Sequence, residues 1–224
     1  MTFPFPTMGI VDDVNLTYLG HTVDNVDRTV YTFSSLSLGA AAVDRLIVLG
    51  VGNTAGWNIT SITIGGVSTS EVATIDIEAT SGNIWFHQAV VPTGTTGDIV
   101  VTFSGASERC GLQWWRLTGA NTTATATASD STGASGVYST TINCESGGAI
   151  LGLIQSWEDP GSGRTHTWSG ITEETGSDEV IDSGNAHSAA SDSFTSTQTG
   201  LAISATVSGA INKGGLLLAA YGPT

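Results

Sequence analysis

Any chemistry in this chain would fall to His21, His87, His166 and His187, to the acidic doublets Glu158-Asp159, Glu173-Glu174 and Asp178-Glu179, or to its tryptophans. No two histidines are close enough in sequence to form a metal pair on one element, and no cysteine sits near any of them, so zinc-type spacing is missing. His87, inside IWFHQAVV, is expected to be a strand residue on a partly wet face rather than a base. Glycoside hydrolysis needs two carboxylates facing one bond. Neighbours on a strand point to opposite faces, so no doublet can act as a pair within itself, and all three are expected to be solvated loop charge. Asp24-Asn25-Val26-Asp27 lacks the spacing and glycine of a calcium loop and is expected to be a turn. Ser in SGAS and TGAS lacks the nucleophile elbow, and IGGV lacks the lysine of a phosphate loop. No catalytic residue, cofactor or metal ligand is expected, and the chain is not expected to be an enzyme.

The tryptophans are the sharper signal. Trp57, Trp85, Trp114, Trp115, Trp157 and Trp168 are many for 224 residues. Trp114 and Trp115 are adjacent on an apolar run and must face opposite sides of it, so a second covered face is expected, between sheets or between subunits. Trp57 and Trp168 open the similar stretches WNITSIT and WSGITEE; each is expected to be a core plug, with stacking on sugar rings as the alternative. Phe3 and Phe5, spaced by Pro4 and Pro6, lie on an extended arm that buries on its own domain or clasps a neighbour. Phe3, Phe5, Trp114 and Trp115 are thus candidate interface residues.

These side chains would be held by strands. Charged residues make up only 12% of the chain, with 29 glycines and many Ser, Thr, Val and Ile, which suits short strands joined by tight turns. VNLTYLGHTV and TVYTFSSLSL have strand character, and RLIVLGVG is apolar at successive positions, as a central strand covered on both faces would be. ITSITIGGVSTSEVATIDI gives two short strands about Gly65-Gly66. IWFHQAVV, DIVVTF and GLQWWRL give three more.

The series then recurs. Val137-Tyr138 answers Val30-Tyr31, Ser183-Gly184-Asn185 answers Ser81-Gly82-Asn83, Thr199-Gly200 answers Thr96-Gly97, and Lys213-Gly214-Gly215-Leu216 answers Arg109-Cys110-Gly111-Leu112. The expected fold is all-β: an antiparallel, jelly-roll-like β-sandwich built from an internally duplicated half, with two tandem immunoglobulin-like sandwiches as the alternative. The expected organisation is an arm over 1–13, a first half over 14–120, a linker or edge segment over 121–135 and a second half over 136–224. SAASDSFTSTQTG looks too polar to core an independent domain, which favours merging of the halves.

A net charge of −14, with acidic residues spread over both halves, repels phosphate backbones and anionic membranes, so neither nucleic acid nor membrane is an expected partner. MTFPFPTMGIVDD has no basic n-region and no long apolar h-region, so a soluble protein made in a cytoplasm is expected. Cys110 and Cys144 are expected to be buried thiols, a bridge between the halves being the less favoured reading.

The series DRLIVLGVG, ITSITIGGVSTSEV, VPTGTTGDIVVTFSG and WRLTG resembles β-rich structural proteins of tailed bacteriophages and prophages, over most of the chain from Thr29 onward. Its first copy is also similar to IPT/TIG immunoglobulin-like domains. The phage resemblance implies a virion component without catalytic machinery: a capsid decoration protein, or alternatively part of a tail fibre or spike, with other virion proteins as partners. A homo-oligomer, for which a trimer is reasonable, is compatible with that role. Trp57 and Trp168 motivate the further alternative of a carbohydrate- or receptor-binding module with a glycan as ligand.

Overall fold

The computed structural model describes residues 12–78, 82–107, 109–131, 136–157, 164–181, 184–209 and 211–224. Phe3, Phe5 and the doublet Glu158-Asp159 lie outside the described residues. In chain order the strands are β1 (Asn15–Asp24), β2 (Arg28–Ser37), β3 (Leu46–Asn53), β4 (Ile59–Ile64), β5 (Val67–Ser68), β6 (Ser70–Glu78), β7 (Gly82–Val90), β8 (Thr96–Ser107) and β9 (Cys110–Thr118), followed by β10 (Ala126–Asp130), β11 (Val137–Cys144), β12 (Ala149–Trp157), β13 (His166–Ser169), β14 (Glu179–Val180), β15 (Asn185–Ser193), β16 (Gln198–Val207) and β17 (Lys213–Tyr221). The described residues contain no helix.

All pairings are antiparallel. β1-β9-β3-β7-β6 form one five-stranded sheet and β2-β8-β4-β5 a four-stranded one; β10-β17-β12-β15-β14 and β11-β16-β13 repeat that arrangement. In each lobe the chain crosses from sheet to sheet in jelly-roll order, with the hairpins β4–β5, β6–β7 and β14–β15 each kept within one sheet. The fold is therefore the all-β, internally duplicated jelly-roll sandwich that the sequence predicts. Each half closes two sheets of its own, and the halves merge by stacking their five-stranded sheets back to back.

Three cores result. Tyr31, Phe33, Ile47, Leu49, Val51, Trp85, Val101, Phe103 and Trp114 fill the first lobe. Tyr138, Ile150, Ile154, Trp168, Ile203, Leu216 and Leu218 fill the second. Between them Leu46, Val48, Phe86, Trp115, Leu117, Leu151, Leu153, Leu217 and Tyr221 form a central core contributed by both lobes. The central strands β3, β7, β9, β12, β15 and β17 are covered on both faces, which is why β3, β12 and β17 run apolar at successive positions instead of alternating. β2 and β11, with one face in water, do alternate.

The second half has a core of its own although β15 reads NAHSAASDS. Its alanines, with Ser188 and Ser191, are buried on both faces, where small side chains let the flanking sheets approach. Their hydroxyls are spent internally: Ser188 Oγ accepts from Trp168 Nε1 at 2.9 Å and meets Ser177 Oγ at 3.2 Å.

The Gly65-Gly66 turn has positive φ at both residues (57° and 81°), as a two-residue hairpin between Ile64 and Val67 requires. Opposite it, Arg45 is fully buried and donates to four carbonyls, those of Val91 (2.6 Å), Leu38 (3.2 Å), Gly39 (2.9 Å) and Thr93 (2.6 Å), binding the β2–β3 and β7–β8 connections together.

The lobes are tied most firmly at one end. There Val14 N donates to Gly147 O at 2.7 Å, Asn121 N to Gly222 O at 2.9 Å and Thr224 N to Gly119 O at 2.9 Å, and Ala120 bridges Pro223. The chain passes between lobes at this end, just before β10.

Candidate functional site

Trp114 and Trp115 divide as adjacent strand residues must, and both are covered within the chain. Trp114 enters the first core, with its indole over Gly20 and Nε1 donating to Ser37 O at 2.8 Å. Trp115 enters the central core between Tyr18 and Phe86, at ring-centroid distances of 5.7 and 5.9 Å, and its Nε1 donates to Glu174 Oε1 at 3.3 Å. The cover over Trp115 comes from the second lobe.

Trp57 and Trp168 are not structural equivalents. Tyr31 and Ile62 both pair with Val101, while Tyr138 and Trp168 both pair with Ala205, so the counterpart of Trp168 is Ile62. Trp168 is a buried plug of the second core, packed over Gly152 and offering no face to a sugar. Trp57 lies in the β3–β4 connection against Gly105 and is 45% exposed.

The histidines are more buried than their sequence contexts suggest. His87 is not on a wet face: it is 7% exposed, its Nδ1 lies 3.0 Å from Thr69 Oγ1, and burial pushes its pKa down to about 4. His166 is held in a relay that sequence spacing did not reveal. Ser156 Oγ lies 3.0 Å from its Nε2, and its Nδ1 lies 2.8 Å from Asp178 Oδ1, which also accepts the His166 backbone N–H at 2.9 Å. The Nδ1–H donates to the carboxylate and Nε2 accepts from the hydroxyl, which is the order of a Ser-His-Asp nucleophile. Ser156 is fully buried, however, and the His166 side chain has no exposure, so an acyl group has no route to the Oγ. The relay joins β12, β13 and the segment before β14 and satisfies three polar groups in the second core.

The doublets Glu173-Glu174 and Asp178-Glu179 are part of the packing too. Glu174 accepts from Trp115 and from Ser191 Oγ, and burial raises its pKa; burial likewise raises that of Glu173, assisted by Asp178. Asp178 and Glu179 point to different histidines, as adjacent residues on an extended chain do: Asp178 to His166, and Glu179 to His187 at 3.6 Å.

At the end of the central interface away from the chain crossover lies a polar seam. Gln155 pairs with His187, and His187 with Glu179, so these three form a row across the second lobe's large sheet. Facing them are Gly52 and Gly111, themselves direct partners between β3 and β9. A Cβ on Gly52 would collide with Gln155 Oε1, and one on Gly111 with the His187 ring. The two glycines make the hollow into which the opposite row fits. Gln155 Nε2 donates to Asn53 O at 2.7 Å, and Gln113 Nε2 to Ser177 O at 2.9 Å. Tyr18 OH donates to Gln113 Oε1 and lies 3.2 Å from His21 Nδ1. Both ring nitrogens of His187, Glu179 Oε2 and Gln155 Oε1 are buried without a hydrogen-bond partner.

A surface trench of about 450 Å³ lies between β6 and the chain leading into β10, lined by Ser70, Glu71, Gln88, Thr122 and Thr125 among others. None of the sequence-predicted site residues lines it. Among the described residues no group of three or more His, Cys, Asp or Glu side chains is placed to hold a metal ion, and no helix is long and apolar enough to cross a membrane.

No protein-family model and no curated protein matches the chain. Among solved structures, the chain is similar at 12% identity and a TM-score of 0.26 to one in the structure of the infectious bursal disease virus Gt strain. That match covers 99% of this chain and 46% of the other, so the chain spans about half the length of the structure it matches.

Proposed function

We propose that this all-β structural module serves as a non-enzymatic component of a bacteriophage particle, displayed on the capsid surface as a decoration protein. The observation that carries the reading is the four-layer stack. The central strands of both five-stranded sheets are covered on both faces inside the molecule, and His166, His187, Glu174, Asp178 and Glu179 are engaged in closing it. With sheets about 10 Å apart, the stack forms a plate roughly 30 Å deep between its outermost sheets. Those outer sheets present rows of small side chains, mostly hydroxyl-bearing, such as Ser61 and Thr102 beside Val30, and Thr167 and Thr206 beside Val137. A rigid, acidic plate with polar outer faces suits a protein that stays dispersed until it docks on a larger assembly. The likeness of the DRLIVLGVG series to phage β-rich proteins points the same way. In this reading the partners are other virion proteins, Phe3 and Phe5 clasp a neighbour, the docked form is a homo-oligomer such as a trimer, and synthesis is in the host cytoplasm.

The test is reconstitution. Purified protein added to particles lacking it binds stoichiometrically and saturably; absence of binding to any part of the particle refutes the proposal. A carbohydrate- or receptor-binding module, as in a tail fibre or spike, is the second reading, favoured by the half-exposed Trp57. It predicts glycan-dependent quenching of tryptophan fluorescence that disappears in Trp57→Ala.

A further inference from the structure

We propose that the interface between the two jelly rolls is an acid-opened clamshell, hinged where the chain crosses between lobes and latched at the far end by the neutral side chain of His187 seated against Gly111. The inference is independent of the particle reading.

The geometry has three parts. The hinge end is fixed by the backbone bonds from Val14, Asn121 and Thr224 and by the bridge from Ala120 to Pro223. Deeper in the central core Tyr221 OH donates to Gln88 Oε1 at 2.8 Å. At the far end, the strand ends of β3 and β12 and the strand starts of β9 and β15 meet, and the contacts change from backbone to side chain. Gln155 reaches Asn53 O, and His187 fills the hollow over Gly111. The latch is thus one polar row against two glycines, joined by few hydrogen bonds.

His187 is fully buried there with neither ring nitrogen hydrogen-bonded. The titratable groups that face it are Glu179 on β14 at 3.6 Å, His21 on β1 and His166 on β13, with Tyr18 on β1 and Glu174 before β14 nearby. The seam residues Gly111 and Gln113 of β9 and Gln155 of β12 carry no charge. Burial disfavours the charged ring, and the two histidines add to that; Glu179 opposes it, but burial is the larger effect and the net direction is downward. The closed seam therefore holds His187 neutral. In an opened seam the ring returns toward its ordinary value of about 6.5. Closure is fully favoured above that pH and is lost as the pH falls below it, because the open form binds the proton more tightly. One proton taken up on opening multiplies the open population by up to about tenfold per pH unit in that window.

Hydrogen exchange on the full chain at pH 7.5, 6.5 and 5.5, corrected for intrinsic rates, tests this. The expected result is a loss of protection of up to about tenfold between pH 6.5 and 5.5, confined to the far-end residues of β1, β9, β14 and β15, while β2, β8, β11 and β16 keep theirs. His187→Gln, neutral at every pH, abolishes that loss. His187→Asn, also neutral at every pH, abolishes it too, and this second variant decides the matter if His187→Gln does not fold. Uniform loss across all four sheets, no loss at the far end, or a wild-type profile in His187→Gln or His187→Asn each overturns the proposal.

Discussion

The indole of Trp168 lies over Gly152, and together they replace Ile62 and Leu49 of the first lobe. A Cβ on Gly152 would stand 2.7 Å from the Trp168 ring, so the glycine is the space the indole occupies. The register gives the equivalence. Leu112 pairs with Val51 and Leu216 with Ile154, which aligns Leu49 with Gly152, just as the shared partners Val101 and Ala205 align Ile62 with Trp168. The duplicated cores hold similar volume, divided evenly in one lobe and unevenly in the other.

This compensation is measurable. Trp168→Ile alone leaves a cavity and costs about 3 kcal/mol. Gly152→Leu alone overpacks the site and costs at least about 3 kcal/mol. The double variant, which installs the first lobe's pair, costs less than the sum by more than about 1 kcal/mol. Urea midpoints of the four proteins close the cycle; additive costs would show that the pair is not a packing unit.

Arg45 is a structural cation. Its guanidinium is fully buried on four carbonyls, and burial lowers its pKa, with Arg116 adding to the effect. Arg45→Met leaves those acceptors unpaired and lowers stability by about 3 kcal/mol. Arg45→Lys recovers only part, since an ammonium has three donors and no planar fork. Thermal denaturation of the two variants gives the ranking.

Stability falls in acid partly through His87. Its folded pKa of about 4 lies below the ordinary 6.5, so the folded form favours the neutral ring. The contribution is fully present above about pH 6.5 and is lost as the pH drops from there toward 4. His87→Gln flattens the fall in urea midpoint over that window, while keeping a group that can hydrogen-bond Thr69. An unchanged slope would assign the acid sensitivity elsewhere.

The two cysteines are free and buried in different cores, Cys110 in the first lobe and Cys144 in the second. Burial raises both thiols, Cys144 to about 11 and Cys110 well above its ordinary value. A thiol reagent at pH 8 therefore leaves the native protein unmodified over the time in which it labels both residues in denaturant. The mass of the intact chain is the same with and without reductant.

The sequence by itself carried the strands, their antiparallel class, the duplication and the split environments of Trp114 and Trp115, because strand period and adjacency are local properties of a chain. Val30-Tyr31 and Val137-Tyr138 were legible as equivalents, and the two tyrosines are fully buried at matching places in the two cores. Trp57 and Trp168 misled, because the similar letters WNITSIT and WSGITEE lie five residues out of register with the strand pairing. What covers Trp115, which faces the glycines of β3 and β9 receive, and which hydroxyl, imidazole and carboxylate meet were decided only in three dimensions. Ser156, His166 and Asp178 come from three different segments, and His187 and Gly111 from different lobes. Hydrogen-bond distance between such groups is set by how two sheets stack, and spacing along one chain does not encode that.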